Sequence, residues 1–145
     1  MTGYLLDTNV LSELVGANPD ANVREFVTAI RTADLATSAI SRFEIERGLA
    51  LMPAGRRREL YERRYRALID GLGGGVLPLD DRAASAAARI SVEARARGTS
   101  LDDHLFDVLI AGTAEAHGLT VVSRNERQFR AAKVPLTNPW GYHEG

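Results

Sequence analysis

Three acidic residues stand where this chain could set them to chemical work. Asp7 follows directly on the apolar run Tyr4-Leu5-Leu6 and leads into Thr8-Asn9. Glu44 comes soon after a second apolar run, Leu35-Ala36-Thr37. Asp107 interrupts Leu105-Phe106-Asp107-Val108-Leu109-Ile110-Ala111, otherwise apolar on nearly every side and therefore expected to be buried. A carboxylate in such surroundings is costly to ionise unless a cation accompanies it. Each acid also has a plain structural explanation. Asp7 is a good N-cap for a helix starting near Asn9. Glu44, three residues after Ser41, completes a capping box. Asp107 could pair with Arg124 or with a helix N-terminus. Asp103, one turn before Asp107 on the same expected helix face, could support it, whereas Asp102 points elsewhere. Glu46 competes with Glu44 but lies about 200° around the helix from it. Taken together, Asp7, Glu44 and Asp107 would form an oxygen-only site suited to Mg²⁺ or Mn²⁺. Such an ion uses one or two carboxylates, keeps waters and takes phosphate oxygens as further ligands. The matching chemistry is phosphodiester hydrolysis.

Composition narrows the alternatives. The 145 residues are expected to form a single domain, 1–145. With 45% hydrophobic and 26% charged residues, disorder and coiled coil are excluded. Cysteine is absent, so there is no thiolate nucleophile, disulfide or Cys-ligated metal. His104, His117 and His143 are too dispersed for a His-rich metal site, and His104 and His117 read as helix-surface or helix-end residues. Of 18 basic residues only Lys133 is a lysine, and arginine is the better phosphate fork. No apolar run approaches the roughly 18 residues of a membrane span. The opening Met1-Thr2-Gly3-Tyr4 does not read as a signal peptide, so the cytoplasm is the expected compartment.

Positioning three distant acids requires elements that bring them together. Short apolar runs at 4–6, 35–37, 76–79, 120–122 and 134–136 read as strands. Helices are expected at 9–15, 22–33, 42–52, 56–70, 81–97 and 102–117. The alternation predicts an α/β/α three-layer fold with a mostly parallel sheet of about five strands. Asp80 precedes the helix ending at Gly98, Ser100 can cap the next, and Gly118 ends it. Gly71-Leu72-Gly73-Gly74-Gly75 lies between a helix and a strand, so it reads as a flexible connection and not a phosphate loop. In an open parallel sheet the residues just past the strands line the ligand crevice.

Four segments resemble PIN-domain ribonucleases, in particular the VapC/FitB-like toxins of toxin–antitoxin modules. They are 5–13 (LLDTNVLSE), 38–48 (SAISRFEIERG), 107–114 (DVLIAGTA) and 119–125 (LTVVSRN), with Asn138-Pro139-Trp140 closing the match. The resemblance implies a PIN-like fold and a Mg²⁺- or Mn²⁺-dependent endoribonuclease that cleaves RNA. It also implies a cognate antitoxin and, usually, a homodimer. The family's acids fall on Asp7, Glu44 and Asp107, with Asp7 and Asp107 as metal ligands and Glu44 holding the attacking water. Many members carry a fourth acid where this chain has Asn125, and often another where it has Gln128. A single ion is therefore expected.

Segment 56–66 carries six arginines against Glu59 and Glu62. Arg56, Arg57, Arg63 and Arg64, with Tyr61 and Tyr65, are candidate RNA contacts. The alternative is a solvated face held by Glu59–Arg63 and Glu62–Arg66 pairs with the tyrosines packed inward. Thr8, Asn9, Ser12 and Asn125 could position water or phosphate beside Asp7. Three rival classes differ in the residues they require. A haloacid-dehalogenase-like phosphatase needs an acid where Asn9 stands. A receiver module needs a lysine after the last strand, and Lys133 precedes it. A non-catalytic PIN-like binding module would not need the three acids.

Overall fold

The structure is a computed structural model and describes residues 3–142. Five short strands form one sheet: β1 (Tyr4–Leu6), β2 (Leu35–Ser38), β3 (Val76–Leu77), β4 (Thr120–Val122) and β5 (Leu136–Thr137). Their order is β3-β2-β1-β4-β5, and every pairing is parallel. The helices are α1 (Thr8–Val15), α2 (Ala21–Ala29), α3 (Ala39–Leu51), α4 (Arg56–Asp70), α5 (Asp81–Ala96), α6 (Leu105–His117) and α7 (Glu126–Ala131). Successive strand residues point to opposite faces. Leu5, Ala36 and Val121 therefore join a core with α5, α6 and α7. Leu6, Leu35 and Val122 join a second core with α1, α2, α3 and α4. This is the expected three-layer α/β/α arrangement.

Several boundaries differ from the sequence reading, each for a local reason. The helix expected at 22–33 stops at Ala29, and a 3-10 turn at Thr32–Asp34 leads into β2. The third helix starts at Ala39, not residue 42, because Ser38 is its N-cap: the Ser38 hydroxyl accepts from Ser41 N at 3.0 Å. Ser41 therefore heads no capping box, and Glu44 sits in the second turn, free of that structural duty. The sixth helix starts at Leu105, not residue 102. Ser100 does not cap it, since its hydroxyl accepts from Asp102 N instead. Asp103 thus lies in the preceding turn and not on the helix. The helix is not buried all round either, with Leu105 61% and Phe106 41% exposed. Helix α7 was not expected, since Phe129 is the one large apolar anchor in a polar segment. The last strand begins at Leu136 rather than residue 134, after a turn in which Lys133 has φ 56°.

The glycine stretch is a connection, as expected, but not a slack one. Gly73 N and Gly74 N donate to Thr32 O and Leu35 O at 2.9 and 2.8 Å. A Cβ on Gly74 would lie 2.7 Å from Leu35 O, so the close approach requires glycine. Gly112 serves α6 similarly. A Cβ there would lie 2.5 Å from Ala83 O on α5. Gly48 in α3 has open space around it. Gly112→Ala is expected to destabilise the fold by about 1–3 kcal/mol through overpacking. Gly48→Ala should stabilise it by about 0.5–1 kcal/mol, the helix-propensity gain alone. Urea titrations of the two variants beside the unmutated chain check both signs.

Candidate active site

All five strands run the same way, so their carboxyl ends share one edge. There an open cleft of about 660 Å³ is lined by Asp7, Glu44, Asp107 and Asn125 among others. Asp7 is 2% exposed and fills the capping role anticipated for it. Its Oδ1 caps α1 by accepting from Thr8 N at 2.8 Å. Its Oδ2 accepts from the Ser123 hydroxyl at 2.6 Å and from Asn9 Nδ2 at 3.4 Å. Burial pushes the Asp7 carboxyl up to about 6. The Ser123 and Thr8 hydrogen bonds pull it down, and the negative charges of Asp107 and Glu44 push it further up.

Glu44 reaches the cleft from α3. Its Oε1 accepts from the Thr8 hydroxyl at 2.7 Å, and Thr8 Oγ1 also lies 2.9 Å from Ser41 Oγ. Thr8 thus links the first turn of α1 to Glu44, as a positioning residue should. Asp107 enters from the first turn of α6, and burial raises its carboxyl as well. His104 and Asn125 act in the opposite direction. Its basic neighbour is His104, with Nδ1 at 3.8 Å, and not Arg124 as anticipated. The Arg124 guanidinium lies over the Trp140 ring instead, 3.9 Å from its centroid. Asp103 is exposed and borders a smaller opening shared with Glu44, Asp107 and Asn125. Glu46 stays away, paired with Arg42 at 2.6 Å.

Ser123 was missed in the sequence reading. It is fully buried, donates to Asp7, and accepts from Asn9 Nδ2 at 3.1 Å and Asn125 N at 2.9 Å. One signal could have found it: Ser123 ends β4 as Asp7 ends β1, and the two strands pair Leu6 with Val122. Asn9 belongs to the same network, donating to Asp7 and Ser123 and accepting from Arg124 N. Lys133, in the turn before β5, is not among the cleft residues.

Arg56 and Arg57 line a neighbouring groove of about 760 Å³ that also reaches Thr8 and Glu44. Arg57 and Arg64 both lie over the Tyr61 ring, at 5.6 and 5.8 Å. Arg63 is exposed and lines neither the cleft nor the groove. The ion pair of this helix is Arg58–Glu62 at 2.6 Å, not the anticipated Glu59–Arg63 or Glu62–Arg66. Tyr65 packs inward, as the structural alternative supposed. His104 flanks the start of α6 and His117 stands in its last turn. His143 lies outside the described residues.

Among the described residues no three Asp, Glu, His or Cys side chains converge into a ready-made cage. A protein-only Ca²⁺ or Zn²⁺ site does not match that arrangement. An ion that keeps most of its waters does, needing only one or two carboxylates. Asp7 and Asp107 can supply them, since Oδ1 of Asp7 accepts only from Thr8 N and retains a lone pair facing no other donor among the described residues.

The chain belongs to the PIN-domain family, whose profile matches residues 4–134. Within it, the chain is 39% identical to the VapC ribonuclease Y4jK of Sinorhizobium fredii over 137 residues, 94% of this chain and 96% of that protein. It is 35% identical to the toxin FitB of Neisseria gonorrhoeae over 94% of this chain and 97% of FitB. Among solved structures it is similar to FitAB bound to a DNA fragment. The TM-score there is 0.88 at 33% identity, covering 97% of this chain and 98% of that one.

The raised Asp7 carboxyl has a thermodynamic consequence. Between its ordinary value of 3.8 and about 6, the folded protein holds a proton that the unfolded chain has released. The Asp7 contribution to stability is thus complete below pH 4 and is lost as pH rises through 6. In metal-free protein, Asp7→Asn should gain about 1–3 kcal/mol on the unmutated chain between pH 4 and pH 7. Denaturant melts in EDTA across that range check the slope of the difference.

Proposed function

We propose that this chain is a toxin of a toxin–antitoxin module, a divalent-metal-dependent endoribonuclease. The observation that carries the reading is the buried Asp7, its carboxyl raised to about 6, facing an open cleft with Glu44 and Asp107. A carboxylate kept at such cost marks a site built for a cation. Mg²⁺ is the proposed ion, Mn²⁺ its substitute, and Asp7 and Asp107 its ligands. When bound, the ion would supply Lewis-acid polarisation at the scissile phosphate and lower the pKa of water beside it. Glu44 spends Oε1 on Thr8 and keeps Oε2 to orient the attacking water and accept its proton. Thr8 fixes that carboxylate. Ser123 and Asn9 fix Asp7. Asn125 offers an uncharged amide beside Asp107, and Asp103 supports from the rim. Arg56 and Arg57 with Tyr61 would carry RNA along the neighbouring groove, with Arg64 also lying over the Tyr61 ring. Arg63 would make an outlying phosphate contact.

The relatives' toxin and ribonuclease names support this reading, and the fold of the FitAB complex extends over almost the whole chain. A cognate antitoxin is the proposed protein partner, acting by an arginine that enters the acidic cleft. The proposed assembly is a homodimer in the cytoplasm. No helix among the described residues is long and apolar enough to cross a membrane.

Incubation with RNA should give cleavage that EDTA abolishes. Asp7→Asn and Asp107→Asn should each lower the rate at least about a hundredfold while the chain stays folded. Full activity in either variant would overturn the assignment. Calorimetric titration of the RNA-free protein with Mn²⁺ should show one site. Asn125→Asp should tighten it, since a further carboxylate adds roughly a few kcal/mol of attraction before desolvation.

A further inference from the structure

The cleft has an electrostatic problem. Asp7, Glu13, Glu44 and Asp107 line it, and Arg124 is the one basic side chain among its lining residues. A phosphodiester is itself anionic and must approach these carboxylates. With a single divalent ion bound, the formal charge of the lining stays negative. An arginine among carboxylates ordinarily ion-pairs with one of them. Arg124 makes no ion pair among the described residues. Its guanidinium rests on the Trp140 ring, 3.9 Å from the centroid. Stacking uses the face of the guanidinium and leaves the in-plane N–H donors available.

Both partners are pinned from the backbone. Arg124 N donates to Asn9 Oδ1 at 3.3 Å, and Asn9 Nδ2 donates on to Ser123 Oγ, which donates to Asp7. Trp140 sits in a 3-10 turn, Pro139–Gly141. Its N–H donates to Asn138 Oδ1 at 3.0 Å and its carbonyl accepts from Asn22 Nδ2 at 2.8 Å. The cation is therefore held at a set place relative to Asp7, by an aromatic ring in place of a carboxylate.

We infer that Arg124 is the phosphate-gripping residue of the cleft, and that Trp140 positions it by keeping its guanidinium off the metal-binding acids. The inference rests on the ribonuclease reading for the identity of the substrate. It gives each residue a separate signature. Removing Arg124 takes one phosphate contact from RNA binding. Removing Trp140 lets Arg124 fall onto the carboxylates, where it competes with the divalent ion.

The test measures binding apart from cleavage. A fluorescein-labelled single-stranded RNA oligonucleotide is titrated with the full chain carrying Asp7→Asn, in Mg²⁺ and over a range of salt. Adding Arg124→Gln should weaken binding about tenfold. It should also reduce the slope of log affinity against log salt by about 0.7, the value of one lost phosphate contact on a single strand. Arg124→Lys should restore the slope. In the otherwise unmutated chain, Arg124→Gln should raise KM with little change in kcat. Trp140→Leu should weaken Mn²⁺ binding in RNA-free protein, and Arg124→Gln added to it should restore that binding. An unchanged slope with Arg124→Gln, or no RNA binding in the Asp7→Asn background, overturns the grip. Unchanged Mn²⁺ affinity in Trp140→Leu overturns the positioning role. If the slope falls as expected but the unmutated chain cleaves no RNA, the ribonuclease reading fails and the grip of Arg124 stands.

Discussion

The carboxylate of Asp7, buried at the end of the central strand, is the constraint around which the rest is arranged. Desolvation opposes its charge, and two nearby acids oppose it further. The fold offsets this only in part. Thr8 N, Ser123 and Asn9 each donate to it, and those three come from the start of α1 and the end of β4. Strand order puts them there: β1 has β4 on one side and β2 on the other, with registers that align Leu6, Val122 and Thr37. The same alignment delivers Glu44 through α3, which begins as soon as β2 ends.

Much of this arrangement was legible in the residues. The apolar runs ending at Leu6 and Thr37 announced covered parallel strands. An acid directly after the first placed a charge at the carboxyl edge. Asp107 stood out because charge is rare inside so apolar a segment. The family motifs tied the three together. What stayed hidden lacked a charge or a periodic signal. Ser123 is a small polar residue at a strand end, indistinguishable by type from an ordinary loop serine. Ser38 and Ser41 both suit a helix cap, and only the backbone turn after β2 selects Ser38. Helix α7 has one buried anchor, too few to set a period. The stacking of Arg124 on Trp140 depends on β4 and the turn after β5 being brought side by side, a pairing that local patterns do not encode.

The arginine-rich helix divides its charges between two kinds of work. Arg58 is spent on Glu62, while Arg57 and Arg64 flank Tyr61. Exposed surface pairs contribute little to stability. Arg64 spends one in-plane donor on the Val15 carbonyl, whereas Arg57, stacked and unpaired among the described residues, keeps its donors for something else. The same distinction holds in the cleft, where an aromatic ring and not an acid restrains the guanidinium.

The central position of β1 also governs how this site can be lost. Strands in the middle of a sheet open only with the whole molecule, whereas edges and connecting segments open locally at much lower cost. Asp7 N donates to Val122 O and Ser123 N donates to Thr137 O, so both residues are anchored in main-chain ladders. The Asp7 amide, bonded between the two central strands, belongs to the part of the sheet that opens last. Asp7 is therefore held in place until the fold itself goes, whereas Glu44 and Asp107, carried on α3 and α6, follow whatever local motion those helices make.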